Sequence, residues 1–570
     1  MIVNRPSSIP GSDLGVTVLT QDQLRRARES HAREGGFAAA ARELGYQSEA
    51  ETLASVAMTL GLDTVDISDA KADLKLLEAF PIRLIHRFQV FPLWMEHGSL
   101  VLAISDPFNL HAVDAVSSAT GMSVAPVVVP ADELVRFIKR HLGVGAETID
   151  DLVAQQSQSG NVEVLEELQF DNSEDAEAAQ QASVVRLVNE ILTEAIEVRA
   201  SDIHIESQDS GLKLRYRIDG VLQRQPTPTE MNRFRAAIVS RLKIMARLNI
   251  AEKRVPQDGR IKLRVNGREI DVRVSIIPML HGEGVVMRVL DKASLAFSLR
   301  GIGMPEAIYE QFQRLIRLPH GIVLVTGPTG SGKTTTLYSA LSEIRSEETK
   351  IITTEDPIEY QLEGINQIQV HTKVGLTFAA SLRSILRHDP DVVLVGEIRD
   401  LETAENAVQA SLTGHLVFST LHTNDSAGAF MRLCDMGVEP FLVSSTVEGV
   451  LAQRLVRRLC EHCREEYEPA SQHVPADFPL QELSERGLTL YQPRGCRDCR
   501  DTGYRGRVGI YELLLASDRV RKLANERTPT NVLQKAATEE GMRTLRQDGW
   551  DKVLSGVTSV DEVLRVTKEL

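Results

Sequence analysis

Aromatic residues are scarce in this chain, at 5% of the total with only two tryptophans. Proteins that grip single strands of nucleic acid stack bases on exposed aromatics among cations, so that class starts at a disadvantage. Positive charge is also in deficit: 64 Lys and Arg stand against 79 Asp and Glu, a net charge of −15 that disfavours long-range attraction to phosphate backbones. No run of about 18 apolar residues occurs, which excludes membrane spans by helices. The opening MIVNRPSSIPGSDLG has no continuous apolar stretch after Arg5 and does not read as a secretory signal, so the expectation is a cytoplasmic protein. Cysteine is too sparse, five in 570 residues, for a disulfide framework. Repeats of solenoid length are absent as well. What remains is an ordinary globular composition, 42% hydrophobic and 25% charged, in a chain long enough for several domains.

The segment from Gln21 to Gly143 mixes helical patterns with a hairpin candidate, Val90 to Trp94 and Leu100 to Ile104 around Glu96-His97-Gly98-Ser99, and predicts a small α+β domain. Between Arg140 and Arg186 there is no Lys or Arg, while ten Asp and Glu lie from Glu147 to Glu177. Like charges repel and little apolar surface is available to bury, so residues 146–181 are expected as a solvated acidic linker, an acidic surface helix being the alternative. From Ala182 to Leu290 alternation such as Leu212-Lys213-Leu214-Arg215-Tyr216-Arg217-Ile218 predicts strands, with Asp219-Gly220 closing a hairpin. Arg215, Arg217, Arg241, Lys243, Arg247, Lys253, Arg254, Arg260, Arg273 and Arg288 gather here, with Tyr216 the one aromatic squarely among them. A solvated sheet face and a phosphate-binding surface are both open. After Arg300, short apolar strands alternate with helical segments, the pattern of a parallel α/β sheet.

Ile322-Val323-Leu324-Val325-Thr326 runs directly into Gly327-Pro328-Thr329-Gly330-Ser331-Gly332-Lys333-Thr334 and a helical stretch from Thr335, which is a P-loop in spacing and in context. Glycines let backbone N–H groups turn towards phosphates, Lys333 reaches the terminal phosphates, and the Thr334 hydroxyl can ligate Mg²⁺. Val392-Val393-Leu394-Val395 ends in Gly396-Glu397, where such folds need an acid near the metal, and Glu397 is assigned to metal and water positioning. Ile351 to Thr354 delivers Glu355, Asp356 and Glu359; one of the three is a general-base candidate, helix capping by Glu355 or Asp356 is the alternative, and spacing does not choose. Thr413 to Thr423 reads as a strand with a histidine near each end. Ligands collect at the carboxyl ends of strands, so His422 is placed near the phosphates, where it could sense the γ-phosphate; His415 is the weaker candidate.

Cys460-Glu461-His462-Cys463 and Cys496-Arg497-Asp498-Cys499 offer four thiolates, the donor set of a closed structural zinc site. The stretch between them shows little core of its own, so the metal is expected to staple it. Cys434 is expected as a packed thiol.

These residues resemble the secretion and pilus-assembly ATPases, and within them the type II secretion ATPases. GPTGSGKTTTLY from Gly327, TTEDPIEY from Thr353, LRHDPDVVLVGEIRDLETAE from Leu386, TGHLVFSTLHTND from Thr413 and LAQRLVRRLCEHC from Leu451 carry the resemblance through the catalytic half in the family's order. SDIHIE from Ser201, RYRIDG from Arg215 and KRVPQDGR from Lys253 resemble the family's second N-terminal domain. The resemblance implies an α/β architecture: a RecA-like P-loop NTPase domain preceded by a PAS-like α+β domain and a small N-terminal α+β domain, with a zinc-binding C-terminal insertion. Its implied divisions are residues 1–145 for platform docking, 146–181 as linker, 182–300 supplying arginines, 301–455 as ATPase core, 456–510 as the four-cysteine zinc module and 511–570 as a helical end. It implies ATP, Mg²⁺ and Zn²⁺ as cofactors, Glu359 as the catalytic glutamate, Glu397, Lys333 and His422 beside it, and Gly327 to Thr335 as the ATP loop. Arg217, Arg254, Arg260 and Arg273 become candidate arginine fingers reaching nucleotide phosphates.

A homohexamer on the cytoplasmic face of the inner membrane is implied, driving a pseudopilus that exports folded proteins. Its implied partners are the cytoplasmic domain of a secretion platform protein, met through the N-terminal domain, a polytopic platform protein and an anionic membrane surface, with no nucleic acid. The wording MGVEPFLVSSTVEGVLAQRLVRRLC is more similar to the secretion branch than to the pilus branch, which is the alternative; a nucleic-acid translocase is the distant one. The first domain matches least well, and shows no convincing pair of the RLG-type repeats through which some pilus relatives bind cyclic di-GMP.

Overall fold

A computed structural model of the chain describes residues 17–567 except 35–36, 47, 68–69, 71–72, 74–75, 78–79, 143–161, 165–181, 292–297, 469–473, 486 and 488. The chain divides into two compact units, Met1–Asp291 and Lys292–Leu570. Among the described residues no helix is long and apolar enough to cross a membrane.

The first unit holds two sheets. One comprises β1 (Asp63–Thr64), β2 (Val90–Glu96), β3 (Ser99–Ile104) and β4 (Ser123–Val128) in the order β1-β4-β3-β2. The expected hairpin is β2 and β3, paired antiparallel, with His97 and Gly98 at φ 48° and 83° making the turn; two left-handed residues match the twist of the strands they join. Phe91, Leu100, Leu102, Val116, Leu134 and Phe137 are among the buried residues that close this α+β core.

The second sheet comprises β5 (Val162–Val164), β6 (Ala200–Gln208), β7 (Gly211–Ile218), β8 (Val221–Arg224), β9 (Gln257–Val265), β10 (Arg268–Met279) and β11 (Gly282–Asp291), ordered β5-β9-β10-β11-β6-β7-β8. Alternation holds residue by residue in β7: Leu212, Leu214, Tyr216 and Ile218 are buried, while Lys213, Arg215 and Arg217 lie on the other face. The Tyr216 hydroxyl donates to Ile191 O of the helix Ala182–Glu197 at 2.9 Å, which satisfies the one polar atom that this inward face carries into the core. Of the acidic stretch expected as a linker, Val162–Val164 pairs antiparallel with β9, so three of its residues join a sheet; the rest lies outside the described residues.

The second unit is built on β12 (Gly321–Thr326), β13 (Ile351–Glu355), β14 (Asn366–Gln369), β15 (Val392–Val395), β16 (Leu416–Leu421) and β17 (Val447–Leu459). A two-stranded ribbon follows, β18 (Arg464–Tyr467) with β19 (Leu490–Pro493), and then β20 (Tyr504–Leu515). The main order is β14-β13-β15-β16-β12-β17-β20, parallel except for β20. Every residue of β12, β15 and β16 is buried, as in strands covered on both faces; β15 is wholly apolar, and β16 carries Ser419 and Thr420 among its apolar residues. The end expected to be helical begins inside a strand, because Tyr511–Leu515 completes β20 against β17 before helices Asp518–Asn525, Thr530–Glu539, Leu545–Leu554 and Val560–Val566. Glu512 on β20 is buried and accepts from Ser426 N at 2.9 Å and Leu545 N at 3.2 Å, fastening two helix starts to the sheet.

Candidate nucleotide site and metal centre

Parallel strands present their outgoing loops at one edge of a sheet, and the carboxyl ends of β12, β13, β15 and β16 bring together the P-loop, Glu355-Asp356, Gly396-Glu397 and His422. Gly327 takes φ 149°, and a Cβ there would stand 2.5 Å from Ser331 Oγ and 2.6 Å from Gln453 O, so only glycine fits. The helix Lys333–Ile344 starts from Gly332, while Pro328, Thr329, Gly330 and Thr334 are exposed and Thr335 half-buried. Lys333 Nζ donates to Gly327 O at 2.7 Å and Pro328 O at 3.1 Å, folding the ammonium over its own loop. Burial brings it down to about 8, opposed by the Glu397 carboxylate and helped by the Arg454 guanidinium. A cation so placed is short of a full counter-charge and suits an anionic ligand.

Glu397 is half-buried, paired with Arg399, and 3.6 Å from His422 Nε2. Its peptide is held from β16: Ser419 Oγ donates to Val395 O and Thr420 Oγ1 to Gly396 O, each at 2.7 Å. Burial, with the nearby Lys333, lowers the His422 imidazole, and Glu397 pulls it back. Lys333, Glu397, Arg399 and His422 thus form one electrostatic cluster. His415 lies at the opposite end of β16, its ring on Ala410 O at 2.9 Å, where it ties a turn.

The three carboxylates after β13 separate by environment. Glu355 is buried and accepts from the Tyr338 hydroxyl, from Thr353 Oγ1 at 2.5 Å and from Gln367 Nε2 at 3.1 Å; burial and this carboxylate push Tyr338 well above the usual phenol range. Asp356 is exposed. Glu359 is half-buried farther along the same segment, its backbone beside the Tyr338 hydroxyl. Thr334 and Glu397 offer hydroxyl and carboxylate oxygens, the hard donors that suit Mg²⁺.

Four arginine candidates lie in the first unit, and register aligns three of them. Arg260 pairs with Arg273, Arg273 with Arg288, Arg288 with Asp202, and Asp202 with Arg217, one row across β9, β10, β11, β6 and β7. Asp202 Oδ1 is 3.1 Å from Arg288 Nε, and its Oδ2 is 3.5 Å from Arg217 Nε. Arg254 stands off the row before β9, bonded through Nε and Nη2 to Glu252 at 3.0 and 2.8 Å, and those bonds pull Glu252 to about 2. Arg288, a member of the cationic cluster in the sequence but not one of the four candidates, takes its place in the row through the pairing of β11 with β6.

The family described as Type II/IV secretion system protein matches residues 177–565, and the MshEN domain matches residues 60–148. The chain belongs to the type II/IV secretion system protein family. It is 45% identical over 561 residues to Type II secretion system protein E of Xanthomonas campestris pv. campestris, covering 97% of this chain and 96% of that protein. It is 42% identical over 549 residues to the type IV pilus assembly ATPase PilB of Myxococcus xanthus, covering 96% of each. In fold it is similar to the ATPase DotB of Yersinia pseudotuberculosis, with TM-score 0.50 and 19% identity over 72% of this chain and 99% of that one.

This secretion ATPase also carries a cysteine cluster. The Sγ atoms of Cys460, Cys463, Cys496 and Cys499 lie within 4.8 Å of one another, with Cys460–Cys496 at 3.8 Å and Cys463–Cys499 at 3.7 Å. Four thiolates about 2.3 Å from a tetrahedral zinc stand about 3.8 Å apart, so the donor set and its spacing fit that ion. Cys496 N and Gly503 N donate to Cys499 Sγ at 3.1 and 3.2 Å, the backbone support a thiolate ligand needs. The expectation that this insertion lacks a core is corrected: Phe478, Leu483 and Leu490 pack with Trp550, Val553, Leu554, Val560 and Val563, and Asp477 accepts from Trp550 Nε1 at 3.1 Å. Its apolar partners come from helices later in the chain, where a reading of the insertion by itself does not look. Cys434 is buried, and that burial raises its thiol.

Proposed function

We propose that this ATPase is the hexameric motor of type II protein secretion, hydrolysing ATP to drive pseudopilus assembly. The observation that carries the reading is the convergence of Lys333, Glu397 and His422 at the carboxyl edge of the sheet, immediately beside the P-loop. Gly327 to Thr335 bind the phosphates and Lys333 neutralises them. Thr334 and Glu397 would hold Mg²⁺, which when bound would supply charge neutralisation at the phosphates. Glu359 takes the proton of the attacking water, since Glu355 is already occupied by three donors. His422, whose imidazole is lowered by burial and by Lys333, donates to the terminal phosphate. Arg217, Arg254, Arg260 and Arg273 supply positive charge from the first unit. Residues 1–145 dock on the cytoplasmic domain of a platform protein at the inner face of the membrane, and the four cysteines would hold zinc.

The near full-length identity to the Xanthomonas protein supports secretion, while that to the Myxococcus protein favours pilus assembly as the second reading. The test is the Mg²⁺-dependent ATPase rate of the full chain alone, with DNA or RNA, and with the cytoplasmic domain of the cognate secretion platform on anionic vesicles. Stimulation by platform and vesicles alone is the expected result. Stimulation by nucleic acid would overturn the motor assignment, and stimulation only by a pilus platform would move the chain to the other branch. Lys333→Ala is expected to abolish turnover in a folded chain.

A further inference from the structure

Leu451-Ala452-Gln453-Arg454 lies on β17, whose Ala452 pairs with Thr326, the last residue of the P-loop strand. Gln453 therefore stands alongside the start of the P-loop although it is 122 positions from Ser331 in sequence. Its side chain is within a residue only 1% exposed, and an amide in a dry interior is costly unless both ends find partners. Both do, in the P-loop and its helix. Nε2 donates to Ser331 O at 2.7 Å, and Oε1 accepts from Thr336 Oγ1 at 2.7 Å. A carbonyl oxygen only accepts, so the NH₂ end must face Ser331 and the oxygen is left for the threonine hydroxyl.

We infer that Gln453 is a positioning residue of the ATPase, one that fixes the Ser331–Gly332 peptide and thereby the aim of the Gly332 N–H. In a trans peptide the C=O and the following N–H point to opposite sides. Fastening Ser331 O to β17 turns the Gly332 N–H away from β17, and a reversed peptide would set that N–H against the NH₂ of Gln453. Gly332 permits the approach: it takes φ 90°, and a Cβ there would lie 3.0 Å from Gln453 Nε2. Thr336 is the second anchor, so the loop and the first turn of its helix are pinned to one amide. Arg454 completes the mount from below, its Nη1 on Gln453 O at 3.0 Å and its Nη2 on Asn424 O at 2.6 Å, which joins the same backbone to the segment after His422. Phosphate binding at a helix N-terminus depends on N–H groups already aimed. A residue that aims one of them sets nucleotide affinity without touching nucleotide.

The test uses the full chain with Gln453→Met, which keeps length and volume but cannot hydrogen-bond, and Thr336→Val, which removes one anchor. For Gln453→Met the KM for ATP and the Kd for a fluorescent ADP analogue should each rise about tenfold, the loss of an aimed backbone contact, with kcat changed less than KM. Thr336→Val should raise both by a smaller factor, and the double variant should be no weaker than Gln453→Met, because the hydroxyl then has no amide to hold. Unchanged KM and Kd in a folded Gln453→Met chain would overturn the assignment, as would losses that add in the double variant. If Gln453→Met does not fold, Thr336→Val decides the matter: a raised Kd supports the positioning role and a wild-type Kd removes it.

Discussion

Glu355, Asp356 and Glu359 are three carboxylates within five residues, and their surroundings give them different work. Glu355 is buried under three donors and is a structural acceptor, which leaves Glu359 as the assigned base with Asp356 exposed beside it. Glu359→Gln should bind ADP as the native chain does while turnover drops by about 10²–10⁴-fold; a native kcat would pass the role to Asp356. Lys333 gives a pH dependence with a definite sign. Its ammonium is the form that binds phosphate and is lowered to about 8 in the nucleotide-free chain, so affinity is full below that value and is lost as pH rises through it. ADP should bind roughly tenfold more weakly at pH 9 than at pH 7, as the protonated fraction falls. A fluorescence titration that is flat across this range would show that Lys333 is charged throughout.

At the level of elements, what depends on local pattern was legible. The P-loop strand, the β2–β3 hairpin and the Asp219-Gly220 turn announce themselves by apolar runs, alternation and turn residues. Long-range pairing does not. Nothing near Tyr511 in sequence says that β17 waits for it, and Arg217, Arg260 and Arg273 are scattered along the chain until register sets them, with Arg288, in one row. The site divides the same way: Lys333, Glu397 and His422 follow from motifs, whereas Gln453 is functional only through two bonds to residues far from it in sequence. The cysteine spacing was legible, but the Trp550 core beneath it was not, and that core alters what metal loss should do. Cys496→Ser should reduce zinc from about one per chain and lower the melting temperature while leaving the ATPase sheet folded, read by elemental analysis together with calorimetry and ADP binding. Metal-free native protein, purified reduced, would defeat the site.

At the scale of the molecule, the row of arginines belongs to the first unit and the P-loop to the second, so the proposed motor needs both for turnover and only one for binding. Arg273→Ala should cut kcat by about 10³-fold while ADP affinity stays near native. If arginines act between chains of a ring, specific activity should rise with protein concentration, and a rate per chain that is constant over a wide range would rule that out. The way the second unit closes its sheet has a further consequence for how the protein is made. β20 follows the whole cysteine insertion, yet it pairs with β17 along most of that strand and carries Glu512 to two helix starts. On the ribosome, every nucleotide motif has therefore emerged before the sheet that shapes them can be finished. The first unit is free to fold early, and the ATPase sheet is completed only once β20 has emerged. A message cut short between Cys463 and Tyr504 would encode every nucleotide motif and leave β17 without its antiparallel partner.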